Sequence, residues 1–120
     1  MSYLKNAQEL YSMIEQGKMM DAFEKYYHED VVMIEPTGEV CKGKSPNRDR
    51  EVKFMSGVKE FHGMGINNIT SNEEKGITMV ESWMDLTMQG GTRMKMEEVA
   101  VQHWNHDHII EERFYFNVPK

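Results

Sequence analysis

Cysteine is almost absent: Cys41 stands alone in 120 residues. A single thiol excludes a disulfide framework, and without a CxxC spacing neither a metal knuckle nor a redox pair is expected. That usage fits a reduced, cytoplasmic protein. Positive charge is also scarce, with 14 Lys and Arg against 20 Asp and Glu and a net charge of -6. A nucleic acid or an anionic membrane would need a basic face, and the basic residues here are scattered, so neither partner is expected. A small neutral or apolar ligand suits the balance better. No segment approaches the roughly 20 apolar residues of a membrane span. The opening MSYLKNAQELYSMIEQ is amphipathic and lacks an apolar leader core, so a soluble, unprocessed chain is expected. Repeats, linkers and low-complexity stretches are missing too, leaving one domain over residues 1–120, long enough for a single core with a cavity beside it.

Methionine is the residue in excess, at twelve. Unbranched thioethers fill irregular cores, and the same adaptability lets Met84 and Met88 line an apolar pocket that repacks around ligands.

Leu4, Ala7, Leu10, Tyr11 and Ile14 recur at helical spacing before Gly17, which predicts a helix over about 2–16. Met19, Met20, Phe23, Tyr26 and Tyr27 predict a second, short helix that gives way to an apolar strand over Val31–Glu35. Ser45 reads as an N-cap and Pro46 as a first-turn residue of a third helix carrying Val52, Met55, Val58 and Phe61. Strand-like runs follow at about 62–70, 77–89, 93–104 and 109–118, broken at 71–76, at Gly90-Gly91 and at 105–108. Helices followed by an antiparallel meander predict an α+β fold, with three N-terminal helices on one face of a curved, mainly antiparallel sheet.

Side chains are assigned to faces by the turns. A two-residue turn at Gly90-Gly91 pairs Ser82 with Val99 and Met84 with Glu97, and a tip at His106-Asp107 pairs His103 with Ile110. The concave face then collects Val80, Ser82, Met84, Leu86 and Met88, with Glu97, Val99, Val101 and His103, and with Ile110, Glu112, Phe114 and Phe116. Its polar members are expected to converge. The convex face collects Trp83, Trp104 and Tyr115 among charges, aromatic surface that predicts a homodimer through that face; the competing explanation is rings packed over surface charges. A bulge in either hairpin reverses the assignments beyond it.

Glu35 closes an apolar strand directly before Pro36-Thr37-Gly38, a place where a carboxylate loses hydration and can serve as a general base. The histidines at 103, 106 and 108 with Asp107 are dense enough to raise a metal site. Alternation along the strands separates His103 from His108, however, so neither a metal nor another cofactor is expected. Lys42, Lys44, Arg48 and Arg50 read as a solvated patch around the third helix.

The segment YYHEDVVMIEPTG, the helix start Gly43-Lys44-Ser45-Pro46 and the closing HWNHDHIIEERFYF together resemble the SnoaL-like branch of the nuclear transport factor 2-like superfamily, over essentially the whole chain. The resemblance implies a cone-shaped fold with an apolar pocket between helices and sheet. It also implies a choice among polyketide cyclases, ketosteroid isomerase, epoxide hydrolases, dehydratases and ligand binders. Glu35 falls where the isomerase places its general base, and Tyr11 falls near its oxyanion tyrosine. The companion acid would fall at Val99 or Ala100 and is missing. Polyketide cyclases of this kind use a sheet carboxylate and a deep histidine, roles open to His103 with Glu112 or Glu97, while the Asp-Arg-Asp relay of epoxide hydrolases has no concave-face arginine here.

The candidate site is therefore catalytic Glu35, His103 and Glu112, with Tyr11, Tyr26, Met84, Glu97, Val99, Val101 and Phe114 around the ligand. The expected activity is general acid–base isomerisation, cyclisation or dehydration of an apolar carbonyl compound, and the alternative is an apolar-metabolite binder without turnover.

Overall fold

Ser2 opens the first helix of the computed structural model, which describes residues 2–117. Its Oγ accepts the Lys5 N–H at 3.2 Å, and the Glu73 carboxylate accepts those of Tyr3 and Leu4 at 2.8 and 3.0 Å. Three otherwise unpaired donors are thus satisfied, and a negative charge meets the positive helix end. This helix, α1 (Tyr3–Glu15), buries Ala7, Leu10 and Tyr11. It ends where the N–H groups of Gly17 and Lys18 turn back to the Ile14 and Met13 carbonyls at 3.0 and 2.9 Å. Helix α2 (Met19–Tyr26) buries Ala22, Phe23 and Tyr26 and runs without a loop into strand β1 (Tyr27–Ile34). The strand therefore begins four residues before the apolar run, and Tyr27 belongs to it rather than to the helix.

Beyond β1 the chain makes a short strand that alternation in the sequence did not reveal, β2 (Val40–Lys42), and then helix α3 (Lys44–Ser56). The helix starts one residue after Gly43, so Ser45 lies inside its first turn and is not the cap. Asn47, 1% exposed, ties this start down by donating its side-chain amide to the Cys41 and Gly43 carbonyls at 3.0 and 2.8 Å. Lys44 is buried as well and donates to the Glu24 carbonyl at 2.9 Å, so the patch expected around α3 is not uniformly solvated. Val58 and Phe61 fall outside α3, in strand β3 (Val58–Asn72).

The remaining strands are β4 (Ile77–Met88), β5 (Arg93–Asn105) and β6 (His108–Phe116); Val118, at the end of the last expected run, lies outside the described residues. The six strands lie in the order β2-β1-β6-β5-β4-β3, antiparallel except where β1 pairs with β6. Strand β3 gains a residue on β4 between Val58 and Glu60, between Phe61 and Gly63, and between Ile66 and Asn68. Each extra residue bends its strand and increases the local twist, and the sheet curls over the helices. The core between them joins Leu10, Phe23, Tyr26, Val31 and Met33 to Val80, Trp104 and Ile109. No helix among the described residues is long and apolar enough to cross a membrane.

Register decides what this curved face presents. Met88 N–H donates to the Thr92 carbonyl and Gly91 N–H to the Met88 carbonyl, both at 2.8 Å. The β4–β5 loop therefore has three residues, Gln89-Gly90-Gly91, with Gly91 at φ 91°, a conformation that disfavours any residue with a Cβ. The β1–β2 loop, Pro36-Thr37-Gly38, repeats it: Glu35 bonds to Glu39 at 2.9 Å, Gly38 bonds back to Glu35 at 2.8 Å, and Gly38 has φ 90°.

A three-residue loop shifts β5 by one position, so Ser82 pairs with Glu98 and Val80 with Ala100. Glu97, Val99, Val101 and His103 consequently lie on the outer face. Met96, Glu98, Ala100, Gln102 and Trp104 turn inward. The tip at His106-Asp107 forms as expected, but the register shifts by one between His103 and Trp104, where Ile110 is the extra residue in β6. Ile110 is exposed, whereas Ile109 is fully buried. Because the two shifts cancel, Glu112, Phe114 and Phe116 face inward as anticipated.

Candidate functional site

The concave face, the three helices and the β1–β2 loop enclose a cavity of about 480 Å³. Much of its wall is apolar: Leu10 and Ile14 from α1, Phe23 from α2, Phe54 from α3, and Met84 and Phe114 from the sheet. Set into it are five carboxyl groups, Glu35, Glu39, Glu51, Glu98 and Glu112, one guanidinium, Arg50, and two phenols, Tyr11 and Tyr27.

Glu112 lies deepest, at 2% exposed. Tyr27 donates to its Oε1 at 2.6 Å and Gln102 Nε2 donates to its Oε2 at 2.8 Å. Gln102, fully buried and directly opposite Glu112 in the ladder, also donates to Tyr11 Oη at 3.3 Å. Behind it the chain continues: Thr78 Oγ1 donates to Gln102 Oε1 at 2.6 Å and accepts from Trp104 Nε1 at 2.8 Å. Burial pushes the Glu112 carboxyl up to about 8, helped by the negative charges of Glu98 and Glu51 and opposed by the hydrogen bonds from Tyr27 and Gln102. Burial and then Glu112 raise the Tyr11 and Tyr27 phenols well above their ordinary range.

Glu98 lies four residues from Gln102 along β5, roughly 13 Å of strand towards the open end. Burial pushes its carboxyl up to about 7, with Glu35 and Glu51 adding to the effect. Glu51 on α3 is raised too, first by burial and then by Glu35, against the pull of Arg50. At the mouth, Arg50 Nη2 reaches Glu35 Oε1 at 3.1 Å. A guanidinium does enter the cavity, from a helix rather than from the sheet.

The cavity thus brings together Glu35, Glu112, Tyr11, Met84 and Phe114 of the expected site, and adds Tyr27, Arg50, Glu51 and Glu98. It excludes His103, whose Nε2 lies 3.6 Å from Glu111 Oε2 across the outer face, so the expected His103–Glu112 pair does not form. Glu97, Val99 and Val101 are excluded with it, by the same one-residue shift of β5. Tyr26 is buried beside Trp104, ring edge to face at 5.8 Å, and its neighbour Tyr27 takes the place in the wall. The glycine at the third position of Gln89-Gly90-Gly91, in the same place as Gly38 after Glu35, is the signal that would have put Glu98 and Gln102 inside. Chemically, the arrangement offers two carboxyls that burial raises towards neutral pH, together with phenolic donors, in an apolar cavity.

The sequence pattern of the SnoaL-like domain matches residues 1–116, and the chain belongs to that family. It is similar in structure to a protein from Mesorhizobium loti classed as a SnoaL-like polyketide cyclase, at 27% identity and a TM-score of 0.83, with 96% of this chain and 99% of that one covered. It also resembles a nuclear transport factor 2-like protein of unknown function from Burkholderia pseudomallei, at 13% identity and a TM-score of 0.81, covering 98% and 92% of the two chains. A protein from Bacillus subtilis classed as an isomerase aligns at 15% identity and a TM-score of 0.81, covering 98% and 90%. At these lower identities the likeness is one of fold. No curated protein matches the chain in sequence.

Proposed function

We propose that this SnoaL-like protein binds an uncharged, largely apolar carbonyl compound and exchanges protons with it, in an isomerisation, cyclisation or dehydration. One observation carries the reading. Two buried carboxyls, raised to about 8 and about 7, face one apolar cavity from adjacent strands. Glu112 is then the general acid, delivering its proton through the Tyr27 hydroxyl bonded to its Oε1, which passes its own hydrogen to the substrate and takes up that of Glu112. Glu98 is the base, since groups poised near the working pH give the best general acid–base catalysis, typically 10²–10⁴-fold. Their separation along the sheet suits removal of a proton at one end of a substrate and delivery at the other. Tyr11 donates to the carbonyl oxygen, where negative charge develops. Glu35 guards the mouth in its pair with Arg50.

Hydrogen–deuterium exchange next to the carbonyl of 2-tetralone in D2O, followed by NMR, tests this. The native protein is expected to accelerate exchange. Glu98→Gln and Glu112→Gln lower it by 10²–10⁴-fold, and Glu35→Gln by less than tenfold. Binding of 2-tetralone without exchange would overturn catalysis and leave a binder of apolar metabolites, which the apolar wall favours as the second reading.

The outer sheet face, with Met79 and Tyr115 44% and 50% exposed beside Val99 and Val101, is the proposed surface of a homodimer. Trp104 is no part of it. Light scattering of the native chain against Tyr115→Glu tests that assembly: loss of a dimer supports it, and a monomeric native chain sinks it.

A further inference from the structure

The hydrogen-bond chain behind Glu112 has a fixed direction. An indole N–H only donates, so Thr78 Oγ1 accepts from Trp104 and has its single hydrogen left for Gln102 Oε1. The Gln102 amide is thereby held with its oxygen towards Thr78 and its two N–H groups towards Glu112 Oε2 and Tyr11 Oη. Oε2 faces a donor that cannot become an acceptor. A proton taken up by the carboxyl therefore goes to Oε1, which faces the Tyr27 hydroxyl at 2.6 Å. A phenolic hydroxyl rotates and can either donate or accept.

We propose that Tyr27 is a switched donor for the cavity: it donates to ionised Glu112, and when Glu112 carries a proton on Oε1 it accepts from that proton and turns its own hydrogen towards the ligand. One proton enters, at Oε1, and Tyr27 keeps its own in both states. Tyr11, occupied as an acceptor by Gln102, has a hydrogen with no acceptor among the described residues and presents it to the cavity in either state. The protonated site thus offers a carbonyl oxygen two phenolic donors and the ionised site one. Gln102, Thr78 and Trp104 are positioning residues in this arrangement.

The titratable groups facing Glu112 are Tyr11 of α1, Tyr27 of β1, Glu51 of α3 and Glu98 of β5. Strand β4 contributes Thr78 and Ser82, which do not titrate. Glu51 and Glu98, when charged, favour the protonated form of Glu112. The inference rests on reading the cavity as an acid–base site for carbonyl compounds.

The test is carbon-13 NMR of ligand-free protein labelled at tyrosine Cζ and glutamate Cδ, between pH 5.5 and 10. Tyr27→Phe and Glu112→Gln assign the two resonances. Tyr27 Cζ is expected to shift in one step at the pH where Glu112 Cδ titrates, with a smaller step at Tyr11. Thr78→Val frees the Gln102 amide to turn, spreads the proton over both oxygens and at least halves the Tyr27 step, and Thr78→Ser restores it. Trp104→Phe, which removes the donor to Thr78, gives the same reading where Thr78→Val does not fold. A Tyr27 resonance that stays flat through the Glu112 titration, a step unchanged in these variants, or a Glu112 that stays charged throughout overturns the switch. Because no ligand is used, such a failure is separate from failure of the 2-tetralone assay.

Discussion

Replacing Glu112 by Gln should make the protein less sensitive to alkali. In the unfolded chain this carboxyl has its ordinary value of 4.5, and in the folded protein burial pushes it up to about 8. Between those values the folded state holds a proton that the unfolded state has released, so stability falls as pH rises, by about 1.4 kcal/mol per unit at most. The contribution is neutral below pH 4.5 and complete above 8, a loss on the order of 5 kcal/mol. Set against the roughly 5–15 kcal/mol of a domain this size, that is a large fraction.

The substituted amide of Glu112→Gln removes the titration and fits the same partners. Its carbonyl can accept from Gln102, and its NH₂ can donate to Tyr27 once that hydroxyl reverses, so it imitates the protonated acid. Urea unfolding at pH 5.5, 7 and 9 should show the variant within about 1 kcal/mol of the native protein at pH 5.5, the scale of one altered hydrogen bond, and several kcal/mol more stable at pH 9. Parallel profiles would refute the reasoning, because they would mean that Glu112 is charged in the folded protein and no proton is held at the base of the cavity.

Three further outcomes separate the register seen here from its one-residue neighbour. His103→Gln should leave 2-tetralone exchange unchanged, because the imidazole lies beside Glu111 on the outer face; a hundredfold loss would restore His103 to the site. Gly65→Ala should destabilise by about 1–3 kcal/mol in urea, since a Cβ there would lie 2.5 Å from Trp83 Nε1. Trp83→Leu should relieve most of that cost in the double variant, and strict additivity would count against the contact. Gly91→Ala should cost about 1–2 kcal/mol, the penalty for a Cβ in the left-handed region, and an unchanged urea midpoint would argue against the three-residue loop.

Helix periodicity located α1 and α2 to within a few residues, because their buried positions repeat at a spacing that no loop can imitate. The start of α3 was marked by Pro46 instead, and the apolar stripe expected on it is not buried: Val52 and Met55 are 51% and 40% exposed, and Val58 and Phe61 lie in β3. The strands after residue 77 were equally legible as elements. What the pattern could not supply was the faces of β5, where acidic and apolar residues come in adjacent pairs. Glu97 and Glu98 both read as an acid, and Val99 and Ala100 both read as core. With period two, only the loop length chooses between them, and two glycines in a row read equally well as a two-residue turn or as the end of a three-residue one. The second shift, at Ile110, was hidden in the same way by Ile109 beside it. The two errors restored the correct face at Glu112, so its place in the cavity wall was reached through a pairing that was wrong.

The members that were missed share a physical reason. Gln102 and Thr78 are ordinary strand residues in sequence, and they come together behind Glu112 only because a three-residue loop turns Gln102 inward, opposite Thr78 on one side and Glu112 on the other. Arg50 and Glu51 sit on a helix with little amphipathic pattern, and their role depends on how the curled sheet brings α3 over the mouth. Tyr27 was assigned to the end of a helix, yet α2 passes into β1 without a loop, and that change of backbone turns its ring towards Glu112 while leaving Tyr26 against Trp104. Family likeness placed a carboxylate at Glu35 and a tyrosine at Tyr11. In this chain the carboxyl that burial raises to about 8 is Glu112 on β6, held by Tyr27 of β1 and by Gln102 of β5, the strand whose register is set by the loop ending at Gly91.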